Sequence, residues 1–112
     1  MAFQRGDVVL VPFPFSDLST VKVRPAVILS GSLYQATEPD LILAAITSKV
    51  STATGRFDYV LSNWQRAGLR SPSALKPVLF TLQPIRVIYT IGALEASDLA
   101  AVDQRIRQAL EL

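Results

Sequence analysis

Hydrophobic positions in the first half of this chain come in continuous runs: Val8-Val9-Leu10-Val11, Ala26-Val27-Ile28-Leu29 and Leu41-Ile42-Leu43-Ala44-Ala45-Ile46. Each is short, rich in aliphatic and β-branched residues, and bounded by turn formers, which predicts buried strands rather than helices. Residues 56–61 (RFDYVL) alternate and predict a half-exposed strand, and 74–81 and 85–91 predict two more. Pro77 argues for an edge or opening position in its strand, because it removes a ladder donor. Residues 31–40 read as a linker with a Glu38-Pro39-Asp40 turn, and 62–73 as an irregular connection with one helical turn. Near the C-terminus, Leu99, Val102, Ile106, Ala109 and Leu110 fall on one face of a helix over 98–110, with Ser97 as N-cap and Asp98 at the positive end of the dipole. On that helix Arg105 and Arg107 are expected on the outer side. Five or six strands with one closing helix predict a small twisted β-barrel, mainly β in class.

Polar residues are informative where they interrupt this pattern. Lys22, Arg24 and Pro25 stand directly before the second run, and proline biases Arg24 towards an extended backbone. The third run breaks abruptly into Thr47-Ser48-Lys49. Adjacent strands would bring Arg24 and Thr47 to one rim, and an arginine fork beside a hydroxyl suits a phosphodiester. Lys22, Ser48 and Lys49 enlarge that set, while Lys76 and Arg86 either join the same basic face or are ordinary surface charges. Between the first two strands, residues 16–21 form a polar loop longer than a tight hairpin needs, so Ser16, Asp17 and Thr20 are candidates for binding.

Composition narrows the chemistry. The 112 residues fit one domain with a modest core, and half of them are hydrophobic. The net charge of +2 conceals a basic middle, since residues 18–86 carry eight cations against three acids. Such a distribution permits a face for a polyanion. The sequence has no cysteine and no histidine. Thiolate and imidazole chemistry are therefore closed, and the acids are too scattered for a two-metal nuclease. No glycine-rich phosphate loop or nucleophile elbow is present. A nuclease built on this chain is expected to need no metal and no cofactor, and to depend on arginine. No apolar run approaches the ~20 residues that span a bilayer.

The stretches RGDVVLV at 5–11, VRPAVILS at 23–30 and AAITS at 44–48 resemble, in order, three signatures of the MazF/PemK family. These are endoribonuclease toxins of bacterial toxin–antitoxin pairs. The later IGAL and closing helix resemble the family's C-terminal half, and PFPF with the Trp64…Ala67-Gly68-Leu69 segment looks like the PemK branch. The resemblance implies one domain over 1–112, an SH3-like (MazF/PemK/CcdB-type) barrel of five to seven strands with a C-terminal helix, working in the cytoplasm. It implies cleavage of single-stranded RNA at a short sequence, with Arg24 and Thr47 as the catalytic pair and Ser48 beside them. Lys22, Lys49, Lys76, Arg86 and the loop residues Ser16, Asp17 and Thr20 would bind RNA. It also implies a cognate antitoxin with an acidic tail. A homodimer is expected too, because Phe13, Phe15, Val78, Leu79, Phe80, Val87, Ile88 and Tyr89 exceed what one small core absorbs. Two other readings remain open at this point: a nucleic-acid-binding barrel without catalysis, and a gyrase-directed toxin of the related fold.

Overall fold

A computed structural model describes residues 3–13 and 22–112. Its strands are β1 (Asp7–Phe13), β2 (Lys22–Ile28), β3 (Leu41–Thr47), β4 (Tyr59–Val60), β5 (Ala74–Leu82) and β6 (Tyr89–Ala93). Two helices, α1 (Ser32–Thr37) and α2 (Ala96–Leu110), complete the regular structure with short 3₁₀ turns at Val50–Thr52 and Pro84–Arg86. All pairings are antiparallel, in the order β4-β5-β3-β2-β1-β6. This is a mostly-β half-barrel closed by a C-terminal helix, as the apolar pattern predicts.

Continuous rather than alternating apolar runs follow from burial on both faces of the sheet. Val8, Val27, Ala44, Ile46 and Leu75 face a first core, roofed by Leu99, Val102 and Ile106 of α2 and by Trp64. Val9, Val11, Ala26, Ile28, Leu43, Phe80 and Leu82 face a second core. Phe3, Phe13 and Val87 cover it, and the Phe13 and Phe80 rings meet edge to face at 5.3 Å. Phe13, Phe80 and Val87 are thus core residues, not surplus apolar surface.

Several boundaries differ from the sequence pattern for identifiable reasons. β2 begins at Lys22, so Arg24 and Pro25 lie within the strand. Pro25 pairs with Leu10 of β1, but the β3 ladder stops one residue later, at Ala26↔Ala45, so the missing donor falls at the ladder's end. Pro77 sits where Ala45 of β3 is passed by Lys76, Pro77 and Val78, between the pairs Ala44↔Leu79 and Ile46↔Leu75. That bulge tolerates a proline, and β4 pairs only with Leu75 and Ala74, leaving the rest of β5 as an edge among the described residues. The strand expected over 56–61 shrinks to Tyr59–Val60, because Asp58 turns back to accept from the Gly55 N–H at 2.9 Å. The strand expected over 85–91 starts at Tyr89, since Pro84–Arg86 form a 3₁₀ turn. Residues 32–37 of the expected linker are helical, with no buried residue to mark the helix in the sequence. Helix α2 begins one residue before the expected Ser97 cap, and Glu95 at the cap position makes no side-chain cap bond.

One contact locks the half-barrel together. A Cβ on Gly92 would stand 2.2 Å from the Ala67 carbonyl oxygen, and one on Gly68 (φ +89°) 2.6 Å from the Ile91 oxygen. Backbone therefore lies directly on backbone between residues 67–68 and β6, an approach that only glycine allows.

Candidate nucleic-acid interface

The pairs Ala26↔Ala45, Val27↔Ala44 and Ile28↔Leu43 define the β2–β3 register. The ladder ends at Ala26↔Ala45, and the same register carried two residues outward would set Arg24 opposite Thr47. Alternation places Arg24 with Ala26 and Ile28, and Thr47 with Leu43, on the side of the second core. The two side chains therefore share one face at one end of adjacent strands. Arg24 is exposed, and the only hydrogen bond of its side chain among the described residues is a 3.5 Å contact to its neighbour's carbonyl, Val23 O. The Thr47 Oγ1 accepts the Lys49 backbone N–H at 3.1 Å. With that lone pair engaged, the hydroxyl hydrogen of Thr47 is free to be donated outward.

The other cations differ in availability. Among the described residues, ion pairs hold Arg5 to Asp103, Arg66 to Glu95 and Lys76 to Asp58. Lys22, Arg24, Lys49, Arg70 and Arg86 make none there. Lys22 and Lys49 are exposed, two residues from Arg24 and Thr47 respectively, and Ser48 is exposed between Thr47 and Lys49. Arg86 lies on the crossover from β5 to β6, which rejoins the sheet where the Ile88 N–H donates to Leu10 O at 2.9 Å. Leu10 is the partner of Pro25, so this crossover reaches β1 beside the part of β2 that bears Arg24. Lys76 is the exception in the expected set, its ammonium bound at 2.8 Å to an Asp58 side chain only 4% exposed. Ser16, Asp17 and Thr20, like Phe15, lie outside the described residues.

Burial alone would raise the Asp58 carboxyl, but the hydrogen bonds from Lys76 and the Gly55 N–H, with the ammonium charge, outweigh it and hold the pKa below the ordinary carboxylate value. Burial first, then the hydrogen bond to Asp98, push the Tyr59 hydroxyl up. This second network was not legible as such in the sequence. Asp98, expected merely to complement the helix dipole, is fully buried. Its carboxylate accepts from Tyr59 Oη at 2.6 Å and from the Ser62 and Asn63 N–H groups at 3.1 and 2.8 Å. Arg105, expected on the outer side of α2, instead lies over the Tyr59 ring at 5.5 Å. Together these contacts fasten α2 to the loop that runs from β4 to Gly68.

A cavity of about 320 Å³ opens beside the rim, lined among others by Leu10, Pro25, Ser48, Leu69, Arg70 and Tyr89. No cluster of three or more potential metal-ligating side chains occurs among the described residues. No helix is long and apolar enough to cross a membrane.

A six-stranded half-barrel sheet closed by one helix, with exposed cations at the ends of β2 and β3, defines a small mostly-β protein with a basic rim. Residues 4–110 match the family of PemK-like, MazF-like toxins of type II toxin–antitoxin systems, and the chain belongs to that family. Solved structures agree in fold. One is an endoribonuclease in complex with its cognate antitoxin from a mycobacterial species, at 16% identity and TM-score 0.78 over 99% of this chain and 97% of that one. Others are MazF of Deinococcus radiodurans, at 22% identity and TM-score 0.76 over 100% and 99% of the two chains, and a MazE–MazF complex of the same organism, at 20% and 0.76 over 97% and 96%. Among curated proteins, none matches the sequence significantly.

Proposed function

We propose that the chain is the toxin of its pair and acts as a metal-independent, sequence-specific endoribonuclease on single-stranded RNA. The observation that supports this reading is the β2–β3 register, which, carried two residues beyond Ala26↔Ala45, would bring Arg24 opposite Thr47. The Thr47 Oγ1 accepts from the Lys49 N–H and keeps its own hydrogen to donate. In the reaction a ribose 2′-oxygen attacks the adjacent phosphorus, the bond to the 5′-oxygen breaks, and the products carry a 2′,3′-cyclic phosphate and a 5′-OH. Arg24 stabilises charge that builds on the phosphoryl oxygens, and Thr47 orients the phosphate by donating to it. Arg24 is unsuited to take the 2′-hydroxyl proton, since its own pKa lies above ~12. Lys22, Ser48, Lys49 and Arg86 hold neighbouring phosphates. Lys76 contributes only where RNA displaces Asp58.

The active form is a homodimer. Beyond Leu75 the outer edge of β5 has no strand partner among the described residues and exposes Val78 and Leu79, and the crossover exposes Ile85 and Ile88. An open apolar edge is a pairing surface that proteins rarely leave bare. A seam of standard size buries about 1,200–2,000 Å². The antitoxin's acidic tail occupies the same basic rim, pairing with Lys22, Arg24 and Lys49, and competes with RNA.

The deciding experiment incubates purified protein with single-stranded RNA in excess EDTA and maps the cleaved ends. Cleavage with 5′-OH ends that polynucleotide kinase labels directly is expected, because the sequence has no histidine, cysteine or carboxylate cluster to hold a catalytic metal. Binding without cleavage would instead identify a non-catalytic RNA module. Protection of a topoisomerase–DNA complex would identify a gyrase-directed toxin.

A further inference from the structure

We propose that the cavity beside Pro25 and Ser48 is a base-specificity pocket that takes a guanine from the nucleotide adjoining the scissile phosphate. The inference rests on the RNA-cleavage reading above and adds to it the base that is read and the residue that reads it.

Position comes first. Pro25 follows Arg24 and Ser48 follows Thr47, so the chain neighbours of both members of the pair line the cavity, although neither member does. Strand alternation turns Pro25 to the opposite side of the sheet from Arg24. A chain whose phosphate lies between Arg24 and Thr47 therefore needs only to turn its next base over the rim to reach the cavity.

Shape and chemistry come next. Leu10, Pro25 and Leu69 give apolar walls, and the Tyr89 ring, 51% exposed, offers a surface for stacking. Single-stranded RNA is read by unstacked bases that lie on such side chains and are hydrogen-bonded along their edges. A volume of about 320 Å³ falls within the range of small-molecule sites.

The polar lining sets one cation among hydroxyls. Among the described residues Arg70 carries the charge and makes no ion pair, and no carboxylate lines the cavity. The Ser73 hydroxyl is already given to the Ser71 carbonyl at 2.9 Å. A guanidinium fork matches two adjacent acceptors, and guanine alone presents such a pair, O6 and N7, on an edge that carries no donor. The O2 and N3 of cytosine share their edge with an amino donor. Adenine sets an amino donor beside its N7, which would face the fork with like polarity. Uracil separates its two carbonyls with an N–H. Arg70 is thus the specificity-determining residue.

The test uses the intact protein and two substrates. One is single-stranded RNA with a randomised segment, whose cut sites are sequenced. The other is the 2′-O-methyl form of the same pool, which lacks the attacking hydroxyl and reports binding alone. Guanine is expected at one fixed position beside the cut, and at one position in the bound pool. Arg70→Ala should level that preference, a loss of about 5- to 150-fold in discrimination. Arg70→Gln should move it towards adenine, which a side-chain amide matches. Arg70→Lys should keep overall binding yet lose the preference, separating base reading from a phosphate contact. Melting curves of the variants confirm that they fold. Cleavage without a guanine at that position, or with one that survives both Arg70→Ala and Arg70→Lys, overturns the pocket and leaves the nuclease standing. An Arg70-dependent guanine in the bound pool with no cleavage overturns the nuclease and leaves the pocket. Absence of both cleavage and RNA binding overturns the two together.

Discussion

The two ends of β3 make an instructive pair. Each adjoins a cavity of about 320 Å³, so volume does not tell them apart. The Leu41 end is lined by Glu38, Asp40 and the polar side of α1. At the Thr47 end stand Arg24, Ser48, Lys49 and Arg70. The charges would repel a polyanion at one end and draw it to the other, although the strand between them is almost wholly apolar. Function in this fold therefore resides in what interrupts the apolar runs, while the runs themselves fix where the interruptions meet.

The sharpest way to break this contrast is at Arg24. Replacing it with alanine should leave the fold intact, because the side chain is exposed, and lower RNA cleavage by about 10²-fold or more, the usual loss of one transition-state donor. Thr47→Ala should cost somewhat less. Near-wild-type turnover by Arg24→Ala would falsify the assigned chemistry.

Next in size is Gly92→Ala, which acts on stability rather than on charge. Its methyl group would overlap the Ala67 carbonyl, so a loss on the order of 3 kcal/mol is expected, seen as a drop of roughly 10–20 °C in thermal midpoint. A variant that melts like the parent would show that residues 67–68 can shift away from β6.

Smaller effects separate the two ends by charge. Lys49→Ala should reduce the slope of log affinity for RNA against log salt by about 0.7, the value of one single-strand phosphate contact. Asp40→Asn, at the acidic end, should leave that slope unchanged. If both variants move it equally, the field is spread over the whole molecule and the contrast is lost.

The smallest effect is on acid stability. The folded-state pKa of Asp58 is depressed, so its contribution is complete above the unfolded value near ~3.9 and is lost as pH falls through the folded value. Lys76→Met removes a group that lowers this pKa. The variant should therefore be less stable above about pH 4, and its acid-induced loss of stability should be smaller and end at a higher pH, measured as urea midpoints between about pH 2 and 6. Coincident profiles would mean that the Gly55 N–H alone holds the carboxylate.

Much of this architecture is legible in the chain because it rests on short-range pattern. The three apolar runs gave their strands, and strand order then brought Arg24 and Thr47 to the same rim. The elements that escaped the sequence depend on partners far away in it. Asp98 looks like a helix-start acid, yet it is buried because Tyr59, Ser62 and Asn63 converge on it. Lys76 looks like one more surface cation until Asp58, eighteen residues earlier, claims it. Helix α1 has no buried residue, so no apolar stripe announces it. Arg70 was visible only as part of a basic middle. Its place beside Tyr89 requires the contact between residues 67–68 and β6.

That contact also bears on conformational entropy. A loop normally loses backbone freedom when it grips a ligand, at roughly 1–2 kcal/mol for each residue fixed. Where backbone already lies on backbone at Gly68 and Gly92, folding has met that cost before any ligand arrives. A side chain two residues from such a joint has little left to lose but its own rotamers, which favours fast, selective capture over slow adaptation.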